Sequence, residues 1–206
     1  MSGLRERQKA DRSRRILEAA VTLFRSEGFR AARIEDLADL AEVSPGTVYN
    51  YYGSKGDILI ATVALEVEEV LAAGEAIVAD PPKGVQEAIT TLIGVYYDHS
   101  LEYLSKEMWR TAMALSVEAP HTPNGARYSD LDRALAAQVV ALVVRLQERG
   151  EVAAGLDARA LGEVLFNNLN QMFMDFVKDD AMTLKTLKAR VARQTAPLAR
   201  LIAAWD

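Results

Sequence analysis

The chain has 206 residues, of which 50% are hydrophobic and 26% are charged, a composition typical of a globular protein with a sizeable core. It contains no cysteine and two histidines, which excludes disulfides, thiol catalysis and a histidine-rich metal cluster. Its apolar stretches are too short to span a membrane, and no apolar run follows the basic N-terminus. We therefore expect no metal, no cofactor, no membrane partner and a cytoplasmic location.

The net charge of −5 is distributed unevenly along the chain. Residues 1–15 carry six basic and two acidic side chains, so the remainder of the chain has a net charge of −9. A basic end on an acidic body orients a protein on a polyanion such as DNA. A solvated helix start or a free tail would have the same composition. The basic residues in question are Arg5, Arg7, Lys9, Arg12, Arg14 and Arg15.

Apolar residues recur at helical spacing along the whole chain, and Gly or Pro punctuate the periodic segments. The sequence therefore predicts an all-α fold of about nine helices. Gly28 is expected to end the first helix and Ser54 to cap the fourth. We expect the helices at residues 8–27, 34–41, 45–51, from 54 onward, 83–104, 105–118, 127–149, 157–178 and 183–204.

Residues 34–52 have the pattern of a helix-turn-helix. Leu37 and Ala38 face inward on its first helix, Ser44 is a suitable N-cap, and Pro45 suits the first position of the second helix. That second helix is short enough to enter a major groove, where Asn binds adenine and Thr contacts a base or a thymine methyl. Its outer face carries Thr47, Asn50 and Tyr51.

Three neighbouring residues complete this candidate site. Lys55 begins the next helix, where a side-chain cation and free backbone amides together favour a phosphate. Tyr52 is expected to pack between helices, whereas Tyr49 is compatible with either packing or DNA contact. The sequence therefore predicts that this segment binds DNA.

The segment from Arg14 to Leu59 resembles the TetR (tetracycline-repressor-like) family. The matching motifs are Ile16-Leu17-Glu18-Ala19-Ala20, Leu23-Phe24, Gly28-Phe29, Ile34 through Ala41, Val43 through Tyr49, Tyr51-Tyr52, Ser54-Lys55 and Leu59. The resemblance implies a homodimeric regulator, expected to be a repressor, that binds a palindromic DNA operator and is released by an unknown small-molecule effector. It implies no enzymatic activity.

We expect a DNA-binding domain at residues 1–55 and an effector-binding and dimerisation domain at residues 56–206. The residues expected to bind DNA are Arg33, Ser44, Pro45, Gly46, Thr47, Tyr49, Asn50, Tyr51 and Lys55.

The segment departs from the family pattern at several positions. Glu42 stands where a glycine is usual in the turn, and a positive φ there would cost about 1 kcal/mol or somewhat more. Arg33 replaces a residue that is often Ser or Thr, which exchanges an N-cap for a possible phosphate contact. Tyr52 replaces the usual Phe, and Gly56 stands where an acidic residue is common.

The last two predicted helices have wide apolar surfaces. Two such helices from each subunit would form a four-helix bundle across a two-fold axis, although both also suit the core of a single chain. The final seam includes Gln194, Leu201 and Trp205. The residues expected at the dimer interface are Leu161, Leu165, Leu169, Leu187, Val191, Leu198 and Ile202.

The middle helices and the helix at 157–178 are rich in aromatic, methionine and asparagine side chains. Such a set suits a small-molecule cavity, and it equally suits a plain core. The expected effector-binding residues are Tyr96, His99, Tyr103, Trp109, Met113, Phe166, Asn170 and Phe173.

Two other classes of protein are considered. An enzyme is disfavoured because the carboxylates lie on solvated helical faces and no thiol or histidine cluster exists. A helical interaction module without a DNA role is disfavoured by the polar and aromatic outer face at residues 47–51 and by Lys55.

Overall fold

The computed structural model describes residues 2–204, and nine helices lie within that range. They are α1 (Ser2–Glu27), α2 (Ile34–Leu40), α3 (Pro45–Tyr51), α4 (Lys55–Ala79), α5 (Val85–His99), α6 (Lys106–Glu118), α7 (Pro123–Glu148), α8 (Ala158–Lys178) and α9 (Leu184–Ile202). The all-α prediction is confirmed. Trp205 and the side chain of Arg5 lie outside the described part of the chain.

Helix α5 ends earlier than the sequence suggested. It stops at His99 rather than near residue 104, and a serine stands at each side of the break between α5 and α6. The Ser100 hydroxyl donates to the Tyr97 carbonyl at 2.8 Å. Ser105 then begins α6 by accepting the Met108 amide at 3.3 Å. Serine hydroxyls compete in this way with backbone hydrogen bonds and mark helix boundaries.

The chain folds into two compact units. The first contains the residues up to Leu65 together with Tyr103–Ser129, and the second contains Glu66–Glu102 together with the residues from Asp130 onward. Helices α4 and α7 each contribute a segment to both units. The domain boundary predicted after residue 55 stays a prediction.

The core of the first unit is built by the helix-turn-helix and α1. Ile16 of α1, Leu37 of α2 and Val48 of α3 are each completely buried. Phe24 and Phe29 pack edge to face with ring centroids 5.2 Å apart. Gly28 follows the last residue of α1 with φ +86°, which confirms its predicted role as a C-terminal cap.

In the second unit, α9 packs along α5 and α8. Leu92 of α5 and Val191 of α9 are buried in this core. Helices α7 and α8 approach closely at Gly162, where a Cβ atom would lie 2.6 Å from the Cα of Val140. A glycine is therefore needed at this crossing. An isolated antiparallel bridge pairs Val152 with Ala203.

None of the helices in the range 2–204 is both long enough and apolar enough to cross a membrane. Over the same residues, the acidic and histidine side chains form no group of three or more arranged to hold a metal ion.

Candidate nucleic-acid interface

The turn between α2 and α3 is a Schellman motif, in which backbone amides close the end of α2. The Val43 amide donates to the Ala38 carbonyl at 2.9 Å, and the Glu42 amide donates to the Asp39 carbonyl at 3.1 Å. Glu42 occupies the left-handed position of this motif with φ +54°. It is the only described non-glycine residue with a positive φ. The strain that the sequence suggested at this position is therefore present.

Helix α3 begins with a complete cap. Ser44 accepts the Thr47 amide through its Oγ at 3.1 Å, and the two side-chain hydroxyl oxygens are 2.9 Å apart. Pro45 fills the first helical position, where no hydrogen-bonded amide is needed. These contacts fix the start of the helix and orient the Thr47 side chain. The predicted cap and bounds of this helix are confirmed.

The outer face of α3 is open to solvent. Tyr49 is 52% exposed, Asn50 is also exposed, and Tyr51 is half-buried. Tyr49 therefore lies on the exposed side of α3 rather than in the core, and its contact with DNA stays a prediction. A Cβ atom at Gly46 would meet only the Ser44 hydroxyl, at 3.8 Å, so packing within the chain does not require glycine there.

Tyr52 packs beneath this face, as the sequence predicted. Its hydroxyl lies 2.8 Å from the Ser13 hydroxyl and so connects the end of α3 to α1. Burial raises the pKa of the Tyr52 phenol. The side chain therefore positions α3 against α1.

Lys55 has a structural role that the sequence did not indicate. Its Nζ donates to the carbonyls of Arg30 at 3.1 Å and Ala32 at 3.0 Å. The same ammonium lies 4.8 Å from the centroid of the Phe29 ring, within range of a cation–π interaction. Lys55 thus ties the start of α4 to the segment between α1 and α2. Its contact with a phosphate stays a prediction.

Arg33 stands at the N-cap of α2 without forming a side-chain cap. Its side chain is 70% exposed and forms an exposed ion pair with Glu35, in which Nε lies 3.5 Å from Oε2. Among the N-terminal cations, Arg14 and Arg15 pair with acidic neighbours. The side chains of Arg7, Lys9 and Arg12 are exposed.

Tyr96 lies in a hydrogen-bonded chain within the second unit. Its hydroxyl donates to Oε1 of Gln138 at 2.6 Å, and Nε2 of Gln138 donates to the Leu71 carbonyl at 2.8 Å. A Cβ atom at Gly74 would overlap the Gln138 side chain, so glycine allows this amide to lie against α4. Burial raises the pKa of Tyr96 strongly, which keeps the hydroxyl protonated as a donor.

His99 lies between two glutamates of α4. Its Nδ1 is 2.8 Å from Oε1 of Glu66, and its Nε2 is 3.1 Å from Oε2 of Glu69. Burial lowers the pKa of His99, but the hydrogen bond with Glu66 and the charges of Glu66, Glu69 and Glu102 outweigh burial and raise it overall. Because both ring nitrogens face carboxylates, the geometry suits the doubly protonated imidazolium.

The remaining predicted effector residues divide between the two units. Tyr103, Trp109 and Met113 belong to the first, and Trp109 is buried there. Phe166, Asn170 and Phe173 belong to the second and are half-buried. In that unit the Phe173 ring stacks on Tyr97, with centroids 5.9 Å apart. Phe166 lines an open groove of about 480 Å³ between α7 and α8.

The predicted dimer-interface residues require correction. Five of them are between 0 and 3% exposed within a single chain, so they retain almost no surface for a second subunit; these are Leu165, Leu169, Leu187, Val191 and Ile202. Leu161 and Leu198 are half-buried. The apolar stripes of α8 and α9 instead pack the core of their own chain. The large apolar side chains that α8 and α9 expose are Val164 at 57% and Leu201 at 71%.

The chain matches the family model for bacterial regulatory proteins of the tetR family over residues 16–62, the segment that contains α2 and α3. It is also 31% identical over 153 residues to the HTH-type transcriptional repressor NicS of Pseudomonas putida, covering 72% of this chain and 68% of that relative. The chain belongs to the TetR family of bacterial regulatory proteins.

Solved TetR-family structures share the whole fold. A TetR-family regulator from Pectobacterium atrosepticum has a TM-score of 0.73 at 19% identity and covers 98% of both chains. The Thermus thermophilus FadR repressor, solved in complex with lauroyl-CoA, has a TM-score of 0.65 at 21% identity and covers 91% of this chain and 93% of that one. At these identities the likeness concerns the fold alone.

One residue of this TetR-family chain was missed by the sequence analysis. Asp132 lies on α7 about two turns before Val139, and therefore on the same helix face as that buried side chain. Burial raises the pKa of its carboxyl to about 6. The available signal was an acidic residue in register with the apolar pattern of α7.

Proposed function

We propose that this protein is a transcriptional repressor whose homodimer binds a palindromic operator and leaves it when a small molecule binds. The observation that carries the proposal is α3: a capped, seven-residue helix whose outer face exposes Tyr49 and Asn50. A short helix held by two others and exposing polar groups is the arrangement that enters a major groove. The proposed site of action is the bacterial cytoplasm, and we propose no catalytic role.

Different residues would contact bases and phosphates. Asn50 and Thr47 are proposed to contact base edges, with Tyr49 and Tyr51 beside them. Arg33 and Lys55 are proposed to bind phosphates. These contacts would fix the orientation of the helix-turn-helix on the DNA but would not distinguish one base sequence from another. The bare surface at Gly46 supports a close approach of the DNA backbone. Ser44 and Pro45 would contribute by fixing the start of α3.

The homodimer is proposed to form through the exposed faces of α8 and α9. Val164, Asn167 and Gln171 follow one another along the exposed side of α8, and Pro197 and Leu201 do so on α9. These faces support a four-helix bundle, which would use the surface opposite to the stripes buried within each chain. The half-buried Leu161 and Leu198 would lie at its edges.

Effector binding is proposed in the domain that follows residue 55. The half-buried aromatic and polar side chains of the second unit, including Tyr96 and Phe173, support a ligand with an apolar part. The Thermus thermophilus FadR repressor was solved in complex with lauroyl-CoA, whose acyl chain is such an apolar part, and this supports the proposal. Release from the operator would require the ligand to bind more tightly at one separation of the dimer's two helix-turn-helix segments than at another.

The deciding experiment measures binding to the DNA that flanks the protein's own coding region. A duplex carrying an inverted repeat from that DNA, with half-sites about one helical turn apart (~34–36 Å), is compared with a scrambled duplex of the same composition. We expect a preference of about a thousandfold or more for the inverted repeat, measured by fluorescence anisotropy. Equal affinity for both duplexes would reject operator recognition, and no binding to either would favour an interaction module.

A further inference from the structure

The first half of α1 lies outside the core of the first unit. Every side chain from residue 6 to residue 12 is exposed, and burial begins with the half-buried Ser13 and the fully buried Ile16. The backbone is nevertheless helical from Ser2 onward. At 1.5 Å per residue, residues 3–12 extend about 15 Å beyond the packed part of the helix.

The packed part of α1 begins against α3. The Ser13 hydroxyl lies 2.8 Å from the hydroxyl of Tyr52, the residue that follows α3. The guanidinium of Arg15 lies 3.4 Å from the carboxylate of Glu42, in the turn that precedes α3. Both ends of α3 therefore border residues 13–15 of α1. The exposed half of α1 starts at this point and continues past α3.

The side of α1 that packs on the helix-turn-helix continues into the exposed half as a basic surface. Side chains at spacings of three and four residues share one face of a helix, and such a series runs through Lys9, Arg12, Ile16 and Ala20. Ile16 and Ala20 are completely buried, whereas Lys9 and Arg12 are exposed. Arg7 lies about 200° around the helix from Lys9, on the opposite face.

Acidic side chains do not neutralise the charges of Lys9 and Arg12. Among the described residues, neither side chain forms an ion pair or a hydrogen bond. Asp11, the residue before Arg12, pairs instead with Arg14 at 2.7 Å and with Arg15 at 3.7 Å. Lys9 and Arg12 therefore form a positive surface, the α1 basic face, that continues from the point where α1 meets α3.

We infer that the α1 basic face binds phosphates of the DNA backbone beside the major groove that α3 enters. The inference rests on the proposed function and deepens it, because it adds a second contact with the same DNA. Ammonium and guanidinium groups bind phosphate oxygens without distinguishing one base from another. Because the exposed half of α1 is about 15 Å long and base pairs are about 3.4 Å apart, these contacts lie within roughly four base pairs of that groove.

One substitution on each face of α1 tests the inference. Arg12→Gln removes a charge from the α1 basic face, and Arg7→Gln removes the same charge from the opposite face. On the inverted-repeat duplex, we expect Arg12→Gln to weaken binding by the full chain about fivefold or more and to reduce the salt-dependence slope by about one unit per lost contact. Lys9→Gln should behave like Arg12→Gln, whereas Arg7→Gln should change the affinity less than about twofold.

Phosphate-ethylation interference locates the contact on the duplex. The parent chain should show interference at phosphates within about four base pairs of the groove, and the Lys9→Gln/Arg12→Gln double variant should lose it there. The thermal unfolding midpoint of the variants should match that of the parent chain, because all three side chains are exposed. The inference is overturned if Arg7→Gln and Arg12→Gln weaken binding equally, if neither does, or if the interference pattern is the same in the double variant.

The scrambled duplex separates this inference from the proposed function. If the inverted repeat is preferred but Lys9→Gln and Arg12→Gln have no effect, the α1 contact is wrong and operator recognition stands. If these variants weaken binding to both duplexes and the repeat is not preferred, the backbone contact stands and operator recognition is rejected. Absence of binding to either duplex rejects both.

Discussion

The side-chain amide of Asn124 donates to the carboxylate of Asp57, which joins the first turn of α7 to the first turn of α4. Both residues belong to the first unit, and both helices continue into the second. A charge-assisted hydrogen bond therefore links the start of α7 to the start of α4 within the first unit.

Removal of this hydrogen bond should destabilise the first unit. Asn124→Ala is expected to lower the free energy of unfolding by about 1–2 kcal/mol, because Asp57 loses a donor. Asn124→Asp should lower it further at pH 7, since two carboxylates would then face each other. Urea unfolding measures both losses. Equal losses at pH 7 would contradict the contact.

Glu42→Gly should stabilise the protein by about 0.5–1 kcal/mol. The substitution relieves the positive φ at the end of α2, and the lost ion pair with Arg15 is exposed and contributes little. Thermal unfolding provides the measurement. Glu42→Ala is the matched control, because it removes the same pair and keeps the Cβ atom. A gain in the alanine variant equal to that in the glycine variant would show that strain is not the cause.

The cluster of His99, Glu66 and Glu69 should make stability depend on pH. The folded pKa of His99 is raised above its ordinary value of 6.5, so its stabilising contribution is fully present below pH 6.5. That contribution is lost as the pH rises through the folded pKa. The stability difference between the parent chain and His99→Gln should therefore be larger at pH 6 than at pH 8.5, by less than about 1 kcal/mol. A difference that grows with pH would refute this sign.

Asn50 and Arg33 should affect DNA binding in different ways. Asn50→Ala is expected to cost about 1–3 kcal/mol on the inverted-repeat duplex and much less on scrambled DNA. Arg33→Ala should weaken both and reduce the salt-dependence slope by about one unit. Anisotropy over a salt series measures these effects. The opposite pattern, with Asn50→Ala uniform and Arg33→Ala selective, would invert the two assignments.

Lys55→Ala should also weaken binding to both duplexes and reduce the salt slope. For this variant the thermal unfolding midpoint must be measured together with DNA affinity. Lys55 Nζ also donates hydrogen bonds to the carbonyls of Arg30 and Ala32, so its loss should also lower stability. Arg33 is the cleaner test of a phosphate contact, since its side chain forms no cap.

A charge on the exposed face of α8 should dissociate the proposed dimer. Val164→Lys is expected to raise the dimer dissociation constant about tenfold or more, because an apolar contact is replaced by a buried ammonium. Sedimentation velocity over a concentration series follows the change. Val117→Lys is the matched control, a 79% exposed valine on α6. A parent chain that sediments as a monomer at micromolar concentration would reject the proposed interface.

The helix-turn-helix was predictable because its signals are local. Ser44, Pro45 and the left-handed position at Glu42 act over three or four residues, and the structure places each where the pattern indicated. The pairing of helices could not be predicted in the same way, because it depends on contacts between residues far apart in the sequence. Periodicity showed that Leu165 and Val191 lie on apolar stripes, but a stripe does not indicate whether its partner is in the same chain.

The effector region was less predictable for a related reason. Aromatic content identifies candidates without saying which element each one faces, so Tyr103 and Phe173 were grouped although they belong to different units. Asp132 was missed because one carboxylate in an apolar stripe resembles ordinary surface charge until its burial is known.

The close fit of Gly74 against Gln138 makes substitutions at three positions, 74, 96 and 138, depend on one another. A larger residue at 74 would displace the Gln138 amide, and the Tyr96 hydroxyl would then need a new acceptor. Substitutions at these three sites are therefore not independent of one another. A chimera that takes α7 from a relative without the matching residues in α4 and α5 would inherit a clash or a buried hydroxyl without an acceptor.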